Sequence, residues 1–240
     1  MRHAIFSDIH GNLPALESVL DDMSTAQVDS YFCLGDVVGY GAYPDECVEL
    51  VRDLGCLTVA GNHDFAVLGK ISIQHFNKMA KKSTLWTRDT LTTDSLEFLG
   101  NLPLVEEYGE ISLVHGSLYS PELFDYIQSS YDAYLSLCKT PGRLCFIGHS
   151  HIPVAFVQDP FITYSLETEI EVPKEGKILV NVGSVGQPRD QNPHACYVVY
   201  DDETNTISIR RTKYDIERAI DGIQEKGLPS VLGERLRYGR

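Results

Sequence analysis

Basic residues are scarce in this 240-residue chain: 20 Lys and Arg stand against 34 Asp and Glu, a formal net charge of -14. That balance excludes the basic stripe that long nucleic acid requires. It also repels small anions unless something local reverses the field, and bound cations are the usual device. Long apolar runs are missing too. No stretch reaches the roughly eighteen residues of a spanning helix, and the opening MRHAIFSDIHGN has too short an apolar run for a signal peptide. The expectation is a soluble, cytoplasmic protein without a membrane partner. No Cys-x-x-Cys occurs, and Cys33, Cys145 and Cys196 lie in apolar runs (YFCLG, LCFIG, ACYVVY). The six cysteines therefore read as reduced, mostly buried thiols. Walker and Rossmann loops are absent, and Ser184 in Val182-Gly183-Ser184-Val185-Gly186 lacks the first glycine of a nucleophile elbow.

What is present suits a packed core: 43% of residues are hydrophobic. HAIFSD reads as a strand, after which Asn12 caps a helix whose Leu13, Leu16, Leu20 and Met23 share one face. SYFCLG and CLTVAG read as further strands, with a helix over about 44–54 between them. Residues 65–101 and 117–140 read as mostly helical excursions. From Ile152 onward VAFVQ, FITYSLE, EVPKEGKILVNVGS, HACYVVYD and TISIRRT hold short strand-like runs, and two helices close the chain at about 215–226 and 229–236. The fold class is α/β, with an α/β first half and a β-rich second half.

The apolar runs end in polar residues with a consistent chemistry. The first delivers Asp8 and His10, the second Asp36, the third Asn62 and His63, ISLVHG delivers His115, and RLCFIGHSH delivers His149 and His151. Loops beyond the carboxyl ends of strands are where open α/β sheets bind ligands. Asp8, His10, Asp36, Asn62, His115, His149 and His151 are too many donors for one tetrahedral zinc and suit two metal ions. Carboxylate and imidazole together favour Mn, Fe, Co, Ni or Zn over Ca or Mg. Two dications sharing a carboxylate would stand roughly 3.5 to 4 Å apart, a spacing suited to an attacking and a leaving phosphoester oxygen.

The ordered series Asp8-x-His10, Gly35-Asp36, Gly61-Asn62-His63-Asp64, His115-Gly116 and Gly148-His149-x-His151 resembles the full signature of the calcineurin-like metallophosphoesterase superfamily. SDIHGN and NVGSVGQPRD further resemble its small prokaryotic phosphodiesterase-type members. The resemblance implies a four-layer α/β/β/α sandwich with two mixed sheets, residues 1–240 forming one domain. It implies Asp8, His10 and His151 on one ion, Asn62, His115 and His149 on the other, and Asp36 between them. It places His63 near the scissile phosphate, to stabilise the transition state or protonate the leaving oxygen, and charge developing on the nonbridging oxygens would be met by both metals and by Asn62 and His63. Pairing of His63 with Asp64, Asp8 or Asp36 would keep that proton available near neutral pH.

On these terms the expected activity is hydrolysis of a small phosphodiester or nucleotide by metal-acidified water, with no covalent enzyme intermediate. The protein serine/threonine phosphatases of the superfamily carry Gly-Asp-x-x-Asp-Arg-Gly where this chain has Gly35-Asp36-Val37-Val38-Gly39-Tyr40-Gly41, so the phosphate-clamping arginine is replaced by Tyr40. Phosphomonoesters, phosphoproteins and dinucleoside polyphosphates stand as alternative substrates. A noncatalytic metal-binding interaction module is the alternative of another class, and the intact ligand set argues against it. Tyr40 and the aromatic-rich segment from Ser117 to Tyr134 are expected to line the substrate approach, and Arg189 to offer a cation to a distal phosphate.

Overall fold

A computed structural model describes residues 1–240. Its strands are β1 (Arg2–Phe6), β2 (Ser30–Cys33), β3 (Leu57–Thr58), β4 (Val105–Tyr108), β5 (Ile111–Val114), β6 (Leu144–Ile147), β7 (Val154–Gln158), β8 (Ile162–Ser165), β9 (Glu169–Glu171), β10 (Lys177–Asn181), β11 (Ala195–Asp201) and β12 (Thr206–Thr212). Its helices are α1 (Leu13–Thr25), α2 (Pro44–Asp53), α3 (Asn62–Val67), α4 (Lys78–Thr90), α5 (Thr93–Gly100), α6 (Ser130–Leu137), α7 (Ile216–Glu225) and α8 (Ser230–Glu234).

The strands form two mixed six-stranded sheets, ordered β3-β2-β1-β11-β12-β9 and β4-β5-β6-β10-β7-β8. Period-two alternation explains why they stack. On β11, Cys196, Val198 and Tyr200 enter the core between the sheets, whereas Ala195, Tyr197 and Val199 face α1 and α2. On β6, Leu144 and Phe146 join the inter-sheet core, while Cys145 and Ile147 pack under α6. The result is the helix, sheet, sheet, helix layering of the calcineurin-like fold. α7 and α8 close a separate apolar cluster around Tyr40 and Ala42.

Register decides where the loops emerge. β1, β2 and β3 run parallel with Phe6 beside Cys33 and Cys33 beside Thr58. The loops holding Asp8, Asp36 and Asn62 therefore leave the first sheet at one level. In the second sheet, parallel β5, β6 and β10 align Leu113 with Phe146 and Ile147 with Asn181. His115, His149 and the chain after Asn181 consequently leave together.

Differences from the sequence reading are local. β3 keeps only two residues of CLTVAG, and the hairpin strand β4 was not anticipated. Between α3 and α4 the chain is irregular, and the 117–140 stretch holds one 3-10 turn (Pro121–Leu123) and α6 rather than continuous helix. No helix is long and apolar enough to cross a membrane.

Candidate metal centre and active site

Asp8, His10, Asp36, Tyr40, His149 and His151 all adopt positive φ, between 50° and 68°. Left-handed backbone costs a non-glycine residue roughly 1 kcal/mol or more, and such strain gathers at functional sites. Two glycines are needed where these loops press together. A Cβ on Gly61 would strike the Asp36 carboxylate and amide, and one on Gly148 would strike Ser7 Oγ and Asp8 Oδ2.

The side chains converge as two groups, Asp8 with His10 and His151, and Asp36 with His115 and His149. All six are buried. His10 Nδ1 donates to the Val38 carbonyl at 3.1 Å, His151 Nδ1 to Gln187 O at 2.6 Å, and His115 Nδ1 to Leu34 O at 2.7 Å. A carbonyl only accepts, so each Nδ1 carries a proton, and in the neutral imidazole the lone pair is left on Nε2. Yet His10 Nε2 and His151 Nε2 face each other at 3.1 Å. Two lone pairs at that distance need a proton or a cation between them. Burial, together with neighbouring positive groups, holds both imidazoles below the ordinary histidine range despite the nearby carboxylates, so protonation is resisted. A metal ion fits. Asp8 Oδ1 and Asn62 Oδ1, buried without hydrogen-bond partners, are further acceptors a cation would satisfy.

The carboxylates are oriented by amides: His149 N donates to Asp8 Oδ2 at 2.9 Å and His63 N to Asp36 Oδ1 at 2.7 Å. Their other oxygens point inward. Asp36 Oδ2 lies 3.6 Å from His10 Nε2 and 3.3 Å from His115 Nε2, between the two groups. Asp8 Oδ1 is 3.1 Å from His151 Nε2 and 3.9 Å from His115 Nε2. Burial opposes their charge, but the imidazoles outweigh it and hold both carboxyls below the usual carboxylate range. His115 is the counterpart: burial works against its charge, and Asp36 and Asp8 raise it to about 9.

His63 differs from expectation. No carboxylate pairs with it. Asp64 turns away to accept from Asp36 N, Gly61 N and Val38 N, and His63 Nδ1 is buried without a partner. It abuts Gly39, where any Cβ would crowd it. Burial pushes this imidazole down to about 4, with Asp36 opposing and Arg189 reinforcing the shift.

A cleft of about 530 Å³ opens beside Asn62, His63 and His149. Tyr40, with its ring 4.7 Å from His10 and 4.6 Å from His63, forms one wall. Tyr126 stacks on His149 at 3.9 Å, and Phe124 stands 6.0 Å from His115. Tyr119, Tyr131 and Tyr134, also expected here, are exposed and do not line the cleft. Ile71, His75, Phe76 and Asn77, which also line the cleft, were missed. Their only sequence signal is the His-Phe-Asn cluster in an irregular stretch. The carbonyls of Leu34, Val38 and Gln187 carry no side-chain signal at all. Arg189 lies 6.0 Å from the Tyr40 ring and donates to Gln187 Oε1 at 2.9 Å.

Comparison with known proteins agrees with this geometry. Residues 1–205 match the calcineurin-like phosphoesterase superfamily domain. An uncharacterized protein of Methanocaldococcus jannaschii, MJ0912, is 43% identical over 99% of this chain and 98% of its own. The crystal structure of a metallophosphoesterase from Sphaerobacter thermophilus superposes with a TM-score of 0.89 at 37% identity, covering 100% of this chain and 99% of that one. The hypothetical protein PH1004 from Pyrococcus horikoshii OT3 (TM-score 0.81, 21% identity, 100% and 98% covered) shares the fold. Sequence match, identity and superposition all extend across the loops that carry the two Asp/His groups, and the chain belongs to the calcineurin-like phosphoesterase superfamily.

Proposed function

We propose that the protein is a dinuclear metal-dependent phosphohydrolase acting on small phosphodiesters or nucleotides. The observation that carries this reading is the pair of imidazole lone pairs forced together at 3.1 Å beside an unpartnered carboxylate oxygen. Asp8, His10 and His151 would hold one divalent ion, Asn62, His115 and His149 the other, with Asp36 shared. Mn, Fe, Co, Ni and Zn suit these donors. Such ions, when bound, supply positive charge to phosphoryl oxygens and acidify water.

The chain's own residues then divide the remaining work. The three carbonyl-anchored imidazoles fix the tautomers, so no ligand reorients as charge develops. Asn62 and His63 begin α3 at the cleft and offer polar contacts to a phosphoryl group. Tyr40 and Tyr126 give the entry flat walls suited to an aryl or nucleoside arm. Tyr40 in place of the phosphatase-type arginine supports diesters over phosphoproteins. The acidic surface disfavours long nucleic acid, and the free buried thiols suit a reducing, cytoplasmic setting.

The test is to strip the protein with a chelator, restore each of the five ions in turn, and follow bis(4-nitrophenyl) phosphate hydrolysis alongside metal content. Turnover that tracks two equivalents per chain is expected. Saturation at one equivalent, or no turnover with any ion, would reject the dinuclear reading.

A further inference from the structure

Fifteen residues line the cleft beside the metal groups, and none of them is Lys or Arg. Two are exposed carboxylates, Glu122 and Asp125. The Lys and Arg ion pairs of the chain all lie on other acidic residues, so both keep their charge uncompensated. Two cations near this wall are turned elsewhere: Lys81 Nζ donates to Gln74 O at 2.7 Å and Arg189 to Gln187 Oε1 at 2.9 Å. A second anionic group on a substrate would meet like charge here, which costs binding.

The carboxylates belong to a segment seated on the metal-holding loops. Glu122 lies in the 3-10 turn Pro121–Leu123, and Phe124 ends that turn in left-handed backbone at φ 53°. The segment packs against Gly116, the residue after His115: a Cβ there would stand 3.0 Å from Asp125 O and 3.1 Å from Phe124 Cα. Aromatic rings from the same wall reach the site imidazoles. Phe124 is 6.0 Å from His115, Tyr126 stacks on His149 at 3.9 Å while remaining 48% exposed, and Phe76 is 4.9 Å from His63. Asn62, only 8% exposed and with an unpartnered Oδ1, lines the same cleft, a buried acceptor left for a bound species.

Ring faces and carboxylates share a sign, and together they attract an organic cation, whose alkyl groups also lose little on leaving water. We propose that the cleft selects phosphodiesters with an alkylammonium group on one arm. The phosphate would lie on the metal groups and the ammonium among Glu122, Asp125 and the rings of Phe76, Phe124 and Tyr126. The volume of about 530 Å³ admits an arm of that size. The inference rests on the phosphodiesterase reading and names the substrate class of that same site.

The experiment measures kcat/KM of manganese-loaded protein for four 4-nitrophenyl phosphodiesters with one leaving group and different second arms. Choline is set against 3,3-dimethylbutanol, its uncharged shape-match, and ethanolamine against propanol. At low salt at least one ammonium ester should exceed its uncharged partner about tenfold, the order of one partly desolvated cation–π contact. The double variant Glu122→Gln/Asp125→Asn should cut that ratio at least threefold. Glu46→Gln/Glu49→Gln, which removes the same charge from exposed positions on α2, should keep it. Ratios near one for both pairs in the wild type overturn the ammonium site and leave the metal centre standing. A ratio that falls no further in the cleft variant than in the α2 variant does the same, since the preference would then come from net charge. Failure to hydrolyse any of the four esters overturns both readings.

Discussion

In the proposed reaction His63 would contact the phosphoryl group. Its Nδ1 has no acceptor and burial holds the imidazole down to about 4, so at pH 7 it is neutral and contributes a polar contact rather than an imidazolium proton. His63→Asn should lower kcat by roughly 100-fold, the scale of a lost oxyanion donor. The loss should be the same for a nitrophenyl and an alkyl ester of one phosphate, measured at equal metal occupancy. A larger loss for the alkyl ester would show a proton being donated. Asp36 makes the complementary case. With Oδ2 within 3.6 Å of imidazoles from both groups, Asp36→Asn removes the one charge they share. Calorimetric titration should show weakened binding of both ions together with lost turnover, and unchanged affinity would remove Asp36 from the bridging position.

At the scale of elements, α1 joins the fold to the site. Asn12 caps it by accepting from Ala15 N at 3.2 Å and also donates to Gly186 O at 2.8 Å, so one side chain holds both the helix start and the loop leading to Arg189. Asn12→Ala should cost about 1–2 kcal/mol in urea unfolding and raise KM for a nucleotide ester. The far end of α1 is pinned by Asp22, which accepts from Arg210 Nε at 3.0 Å and from the Tyr197 hydroxyl at 2.6 Å. Burial opposes this carboxylate, but those donors outweigh it and lower its pKa below 3.8. The clamp is therefore present above the ordinary carboxylate pKa and is lost as pH falls through the depressed value. Asp22→Asn should lower the Tm at pH 7 by an amount worth roughly 1 kcal/mol, and the gap to wild type should narrow below pH 4. Legibility follows the same elements. β1, β2, β5 and β6 could be read because dense apolar runs break abruptly at Asp, His or Gly, and Asn12 could be read because an Asn before Leu-Pro has one common use. β4 could not, since Val-Glu-Glu-Tyr is half-exposed and is made a strand only by pairing with β5. Tyr131 and Tyr134 misled because aromatic content does not tell which face of α6 turns outward, and Tyr119 because it lies in a turn with no periodicity to read. Three imidazole anchors were invisible because a main-chain carbonyl looks alike in every residue.

For the molecule as a whole, the site is a seam. Asp8, His10, Asp36 and Asn62 come from loops of the first sheet, and His115, His149 and His151 from loops of the second. Ions held there would tie the sheets together and would favour the folded state. At a hundredfold excess over Kd each ion should add about 2.7 kcal/mol, or roughly 5–10 °C in Tm per ion for a chain of this size. Chelation followed by differential scanning calorimetry measures it, and no change in Tm on metal removal would show that the ions do not hold the seam. One detail of that seam bears on descent. His10, His115 and His151 are aimed by the carbonyls of Val38, Leu34 and Gln187, and no point mutation deletes a carbonyl. Aim is thus insulated from mutational drift at those three positions. The side chains of Tyr40, Tyr126, Phe76 and Arg189 have no such protection, so a single substitution there can change what the cleft admits while the metal-holding geometry persists.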